Sequence, residues 1–215
     1  MKPLLTGLLL LFLARVPAAP AATPELQEGV DYVRIEAGPL GPRAGLIEVA
    51  EVFAYTCPHC ASFEPRLQEW KRRLPADVDL VQVPAAFGGA SDAWARTYYA
   101  SRQLGVATRS HPALFEALHQ RHSLPRNPTP QELGEFFKDF GVDPERLRAA
   151  LADPQVGEQV RKAGAWIRTI DLEGTPSLVV NGRYRVRGRD FDDMLRIAGA
   201  LVARERAAMR SQTSR

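Results

Sequence analysis

Blocks of apolar residues with two different periods follow one another along the chain, and their order predicts the fold. Short apolar or alternating blocks predict strands at residues 30–35, 46–55, 78–83, 177–180 and 183–186. Blocks with apolar residues at helical spacing predict helices that begin near residue 58 and at 92–104, 112–122, 130–140, 144–151, 154–170 and 191–205. The order is therefore β-α-β, a block of helices, and β-β-α, with Asn181-Gly182 as a hairpin turn between the last two strands.

Proline marks the start of several predicted helices. Thr129, Asp143 and Asp153 each stand directly before a proline, which is the order of an N-cap residue followed by the first helical position. Ser110, two residues before Pro112, is a looser version of the same signal and predicts a helix start there.

The only two cysteines, Cys57 and Cys60, stand where the strand at 46–55 leads into a helix. Pro58 fits the first helical position, which places Cys57 at the cap with free amide donors beneath its sulfur. Those donors, the helix dipole and an imidazolium at His59 favour a thiolate. We predict that Cys57 is acidic and reactive, that Cys60 is more buried and less reactive, and that the two sulfurs are within bonding distance.

Other uses of a cysteine pair are a haem attachment, a zinc site and a structural disulfide. Haem attachment requires a histidine directly after the second cysteine, where this chain has Ala61. Zinc would require His111, His119 or His122, which lie far away at no recognised spacing, and we interpret them as solvated helix positions. A chain of this length needs no disulfide to stabilise its core. A redox-active pair is the preferred interpretation, and a structural disulfide stays the alternative.

The segment Cys57-Pro58-His59-Cys60 after a strand resembles the active-site signature of the DsbA family, periplasmic thiol oxidases with a thioredoxin fold. The element order is similar too, because a thioredoxin fold is β-α-β followed by β-β-α. The resemblance implies an α/β chain, a thioredoxin fold with an inserted helical domain. The thioredoxin-like domain would comprise residues 22–86 and 171–205, the helical insertion 87–170, and a frayed C-terminal tail 206–215.

The same resemblance implies a substrate-binding loop. In this family a cis proline lies against the active-site disulfide and leaves the preceding backbone free to pair with an extended substrate. Gly174-Thr175-Pro176, just before the strand at 177–180, is similar to that loop. We therefore expect a cis bond before Pro176, and we expect Thr175 and Pro176 to contact substrate.

Three glutamates near the pair receive different interpretations. Glu51 lies six residues before Cys57 within an apolar strand, and the DsbA family carries a buried acid at the matching offset that handles the proton of the inner cysteine. The resemblance gives Glu51 that role, and a glutamate facing solvent at the mouth of the strand is the alternative. Glu48 should face the other side of the sheet. Glu64 also matches a family acid, but we interpret it as a solvated helix charge.

The N-terminus resembles an export signal. It has a basic start at Lys2, an apolar core at residues 4–13 and the small residues Ala19-Pro20-Ala21 for cleavage, which predicts a signal peptide over residues 1–21 and a periplasmic protein. An uncleaved anchor is the alternative. The chain has 28 Lys and Arg against 25 Asp and Glu, and removal of the signal leaves 26 against 25. This near-neutral balance gives no indication of nucleic-acid binding.

The resemblance implies a thiol:disulfide oxidoreductase that donates its Cys57–Cys60 disulfide to newly exported, unfolded proteins. It implies no metal or organic cofactor, a monomer, and a DsbB-like membrane quinone reductase that restores the disulfide. A reductase or isomerase of the same fold is one alternative. However, isomerases of this kind carry a dimerisation domain, and reductases have less polar residues between their cysteines. A non-catalytic holdase with a structural disulfide is the other alternative.

Overall fold

A five-stranded mixed sheet forms the centre of the computed structural model, which describes residues 25–213. The predicted signal peptide at residues 1–21 lies outside the described residues. The strands are β1 Tyr32–Arg34, β2 Ile47–Phe53, β3 Val78–Pro84, β4 Ser177–Val180 and β5 Tyr184–Val186, in the spatial order β1-β5-β4-β2-β3. β2 is parallel to β3 and antiparallel to β4, and every one of its residues is buried.

In the described part of the chain, seven helices cover the two faces of this sheet, namely α1 Pro58–Arg72, α2 Ala90–Gln103, α3 Ala107–His119, α4 Pro130–Lys138, α5 Pro144–Ala152, α6 Pro154–Ile167 and α7 Phe191–Thr213. α1 and α7 pack with the sheet around one apolar core, and α2 to α6 build a second core on the other side. The predicted thioredoxin fold with added helices is confirmed. α2 to α6 fall between β3 and β4, while the limits of the inserted domain stay a prediction. Within residues 25–213 no helix has the length and apolar character needed to cross a membrane.

Three of the predicted helix caps are confirmed, and one predicted start is wrong. The Thr129 hydroxyl accepts the Glu132 amide at 3.2 Å while the Glu132 carboxylate accepts the Thr129 amide at 2.7 Å, which is a full capping box. Asp143 and Asp153 also cap their helices. Pro112, however, lies inside α3. α2 ends at a left-handed turn at Gly105, and the chain re-enters a helix at Ala107, five residues earlier than the proline signal indicates.

The last helix is longer than its pattern predicts. The predicted helix end near residue 205 is wrong, and the predicted frayed tail is wrong over residues 206–213, since α7 continues to Thr213. Arg206 explains part of this extension, because its guanidinium makes a two-pronged ion pair with Asp77, with Nη2 and Oδ1 2.8 Å apart. Such a bidentate pair ties the end of the helix to the turn before β3.

Candidate active site

The two cysteines lie at the N-terminus of α1, directly after the central strand. Cys57 is the N-cap residue with extended backbone angles, and Pro58 occupies the first turn, as predicted. Cys57 is half-buried, Cys60 is fully buried, and the side chain of His59 is exposed. Both cysteines are free thiols in this structure. The strand-to-helix junction therefore presents one sulfur to solvent and holds the other inside.

The environment separates the pKa values of the two thiols. A hydrogen bond from the Cys60 side chain is the largest of the causes that lower the pKa of Cys57 to about 5, against the opposing effect of partial burial. The Thr175 side chain and the backbone amides of Cys60 and His59 contribute further. The same contact with Cys57, followed by burial, raises the pKa of Cys60 far above its usual range. Cys57 is therefore a thiolate at neutral pH.

The origin of this acidity differs in part from the prediction. The amide donors at the helix start contribute as expected, but His59 acts on Cys57 through its backbone N–H. The Cys60 thiol, which the sequence argument did not consider as a donor, has the largest effect. The spacing of three residues at a helix start was the available signal, because it places one thiol within hydrogen-bond reach of the other.

The loop before β4 forms the other wall of the site. The Thr175–Pro176 peptide bond is cis, as predicted. As a thiol, Cys57 donates to the carbonyl oxygen of Thr175, with Sγ and O 3.2 Å apart. Thr175 and Pro176 are each half-buried, so both also present surface beside the reactive sulfur.

Two arginines, Arg185 in β5 and Arg187 directly after it, hold this loop in place. The guanidinium groups of Arg185 and Arg187 both donate to Oε1 of Glu173, at 2.8 and 2.6 Å. Hydrogen bonds from Arg185 first, and then from Arg187, lower the pKa of Glu173 to about 2. Glu173 stands two residues before Thr175, so these contacts fix the backbone that faces Cys57.

Glu51 is buried in the centre of β2, with 1% of its surface exposed. Its Oε2 accepts a hydrogen bond from Gln82 Nε2 at 3.0 Å, whereas its Oε1 is buried without a hydrogen-bond partner among the described residues. Burial, and then the neighbouring carboxyl group of Glu64, raise the pKa of Glu51 to about 8. The alternative of a glutamate facing solvent is wrong, and Glu51 holds a proton at neutral pH.

Glu64 and His111 are buried as well, at 2% exposure each, so the interpretation of both as solvated helix positions is wrong. Gln82 Nε2 lies 3.3 Å from Glu64 Oε2 and 2.8 Å from His111 Nε2. His111 Nε2 and Glu64 Oε2 are 3.4 Å apart. His111 Nδ1 is 2.8 Å from the Tyr55 hydroxyl. Glu51, Glu64, Gln82 and His111 form what is called here the buried polar network.

Helical spacing was a signal in the sequence for Glu64 and also for His111, which stands three residues before Leu114 and four before Phe115 on the apolar face of α3. Glu64 lies four residues after Cys60 and three before Leu67, both fully buried, so helical spacing places it on the inner face of α1. His111 faces inward because α3 packs against α1, which is a tertiary contact. Of the other histidines, His119 donates through Nε2 to the Tyr55 carbonyl oxygen at 2.7 Å, and His122 is exposed.

The chemistry available to this site is thiol–disulfide exchange. A pair of thiols with separated pKa values can accept and release two electrons without a cofactor. Among residues 25–213, no three His, Cys, Asp or Glu side chains are grouped so that they could hold a metal ion.

Comparison with known proteins agrees with this geometry. A family model described as a DSBA-like thioredoxin domain matches residues 48–201. The thiol:disulfide interchange protein DsbA of Pseudomonas aeruginosa is 35% identical over 183 residues, which are 84% of this chain and 86% of that protein. The corresponding DsbA of Azotobacter vinelandii is 32% identical over 215 residues, 97% of this chain and 100% of that protein.

A solved structure shows the same architecture. The crystal structure of the oxidoreductase DsbA from Xylella fastidiosa is 49% identical in sequence and superimposes with a TM-score of 0.82, over 85% of this chain and 98% of that one. The family match covers β3, β4, β5 and all of β2 but Ile47, together with the cysteine pair and the loop before β4, whereas β1 lies outside it. The chain therefore belongs to the DsbA-like family of thioredoxin-fold disulfide oxidoreductases.

Proposed function

We propose that the protein oxidises pairs of thiols in exported, unfolded proteins by donating its Cys57–Cys60 disulfide. The observation that carries this proposal is the separation of the two pKa values, with Cys57 lowered to about 5 and Cys60 raised. Stabilising the Cys57 thiolate stabilises the reduced pair, and a stable reduced form makes the disulfide a strong oxidant. The direction of exchange thus follows from the environment of one sulfur.

The reaction proceeds in two exchanges. A substrate thiolate attacks the accessible Cys57 sulfur, the bond to Cys60 breaks, and Cys60 leaves with the electron pair and takes up a proton. A second substrate thiolate then attacks the substrate sulfur of the mixed disulfide and releases Cys57, a good leaving group because its thiolate is stabilised. The substrate loses two electrons and the cysteine pair gains them.

The neighbouring residues have supporting roles in this proposal. Glu51 is protonated near neutral pH and sits in the strand that leads to the pair, which suits it to supply the proton that Cys60 takes up. Pro58 starts the helix whose amides face Cys57, and His59 contributes one of those amides. Thr175 and Pro176 present the backbone against which an extended substrate would pair.

The compartment and partners belong to the same proposal. The signal-like pattern at residues 1–21 supports export to the periplasm, where disulfides persist. Each turnover leaves the pair reduced, so a reoxidant is required, and a DsbB-like membrane quinone reductase fits the family. The protein would act as a monomer on protein thiols, and its near-neutral charge gives no reason to expect a nucleic-acid partner.

The direct test is single-turnover oxidation of a reduced peptide that contains two cysteines. The disulfide form of the protein should convert one equivalent of peptide to its internal disulfide, and Cys57→Ser should abolish the conversion. Ser62→Ala is a matched control, since this exposed hydroxyl of α1 bonds only the local Pro58 carbonyl oxygen. A Cys57→Ser protein that kept its full effect on unfolded chains would instead support a holdase.

A further inference from the structure

A solvent-open cavity of about 460 Å³ lies beside the edge strand β3, between α1 and the helices α2 and α3. It is separate from the surface around Cys57, because neither cysteine lines it. Two members of the buried polar network do line it, namely Gln82 and His111. Water in this cavity can therefore reach the buried polar network by a route other than the surface around Cys57.

Only one of these two side chains can carry a proton. The Gln82 amide has no ionisable proton near neutral pH, whereas an imidazole can accept a proton on one nitrogen and release one from the other. His111 Nε2 lies 3.4 Å from Glu64 Oε2, and Gln82 Nε2 links both carboxyl groups to that same imidazole nitrogen. His111 therefore stands between the buried carboxyl groups and the cavity.

The proposed reaction requires such a connection. Cys60 takes up a proton when it leaves and must lose it again on reoxidation, and Glu51, the group suited to exchange that proton, is 1% exposed. If Glu51 gave its proton to Cys60 and could not recover one, its buried carboxylate would remain as an uncompensated charge next to Glu64. We propose that His111 is a positioning residue that passes protons between the Glu51 and Glu64 carboxyl groups and the water of this cavity.

Attack of substrate on Cys57 breaks the sulfur–sulfur bond, and the electron pair on Cys60 takes the proton of the Glu51 carboxyl group. The Glu51 and Glu64 pair recovers one proton through the His111 imidazole, which passes a proton to the carboxyl pair and takes one up from solvent by way of the cavity water. Reoxidation of the cysteines sends the proton outward along the same groups. No redox change takes place at His111.

Several charged and titratable side chains face His111 or the cavity, so a pH profile needs an internal reference. They are Arg43 in the loop before β2, Glu51 and Tyr55 from β2 and its end, Glu64 and Lys71 of α1, Asp79 of β3, and Tyr98 and Arg102 of α2. All of them remain in a His111 variant, so a difference between variant and wild type reports the loss of the imidazole together with its effect on Tyr55, Gln82 and Glu64, which contact it.

The test is chemical rescue. His111→Ala should lower the steady-state rate of peptide oxidation, with oxidised glutathione as the reoxidant, by at least about tenfold, with a changed pH profile, because every turnover after the first requires Glu51 to have exchanged its proton with solvent. Added imidazole, which can enter through the open cavity, should restore most of the rate. Pyrazole has the same ring size and is a far weaker base, so it should fill the space without restoring the rate. His111→Gln keeps a hydrogen-bonding amide but no titratable proton, and it should be slow as well.

The control is His122→Asn, which removes an exposed imidazole after α3 and keeps a residue that tolerates the left-handed φ of 51° found there. It should retain the wild-type rate. A folded His111→Ala protein with the wild-type rate overturns the proposal, and so does a loss of rate that imidazole does not recover selectively over pyrazole. If His111→Ala does not fold, the rate of His111→Gln decides.

This inference rests on the proposed function, and the two can fail separately. A wild-type protein that does not oxidise the peptide contradicts the proposed function. A wild-type protein that oxidises it, beside a His111 variant that is equally fast, contradicts the inference alone.

Discussion

Replacing Glu51 by glutamine is expected to stabilise the oxidised protein, and to do so more strongly as the pH rises. Burial, and then Glu64, raise the pKa of Glu51 from 4.5 to about 8, so the native state holds a proton that the unfolded chain releases. Below about pH 4.5 the carboxyl group is protonated in both states, so the free energy of unfolding is unaffected. As the pH rises from 4.5 to 8, the unfolded chain releases the proton that the native state keeps, and the free energy of unfolding falls. Glutamine is neutral throughout and avoids this loss.

The size of the effect follows from the same values. At about 1.4 kcal/mol for each pH unit, the penalty above pH 8 is at most on the order of 5 kcal/mol. Guanidinium unfolding of the oxidised proteins at about pH 5 and about pH 8.5 measures it, because the oxidised pair has no titrating thiols. The gain from Glu51→Gln at the higher pH should exceed the gain at the lower pH by several kcal/mol.

Glu48 provides the matched control, as a second buried glutamate on the same strand. It is 3% exposed, and its two carboxylate oxygens accept the backbone amides of Leu40 and Gly41 at 2.7 and 2.8 Å. Glutamine has a single acceptor oxygen and would turn its amide toward one of these donors. Glu48→Gln should therefore destabilise the protein by about 2–4 kcal/mol at both pH values. A Glu51→Gln protein that is also destabilised, or whose gain does not change with pH, would refute the assignment of a protonated Glu51.

Further substitutions at three positions test the site and the fold. Cys60→Ala should raise the pKa of Cys57 by about one to two units, since a hydrogen bond to a charged group contributes about 1.5–3 kcal/mol. Cys60→Ser retains a donor, so the pKa of Cys57 should stay near 5. The ultraviolet absorbance of the thiolate, followed across pH, measures both values. His59→Ala should raise the same pKa by less than Cys60→Ala, because the His59 contribution comes from its amide. Gly182→Ala should destabilise the protein by at least about 3 kcal/mol in denaturant unfolding, because its Cβ would lie 1.8 Å from the carbonyl oxygen of Gly38 at a φ of +61°; an unchanged stability would contradict this packing.

The parts of the structure that were predictable from sequence depend on neighbouring residues. The cap position of Cys57 and the first-turn position of Pro58 depend on a single strand-to-helix junction, and a proline following Thr129 is enough to mark a helix start. The limits of β4 were also predicted without error, because a short apolar run ends at a hairpin signal. Local chemistry decides each of these features.

The parts that were missed depend on contacts between distant segments. The Tyr55–His111 hydrogen bond joins residues 56 positions apart, and the Arg206–Asp77 ion pair joins residues 129 apart. No periodicity within α3 or α7 reports which other element will cover it. Sequence therefore located the reactive sulfur and, through the family resemblance, Glu51, but not the other members of the buried polar network.

In the proposed mechanism, the environment of Cys57 makes the disulfide an oxidant. The measurement that tests it most directly is the equilibrium of the Cys57–Cys60 pair with reduced and oxidised glutathione. We expect the pair to be reduced almost completely even by small amounts of reduced glutathione, which corresponds to a strongly oxidising potential. A pair that stays oxidised until glutathione is in large excess, or that glutathione does not reduce at all, would contradict it.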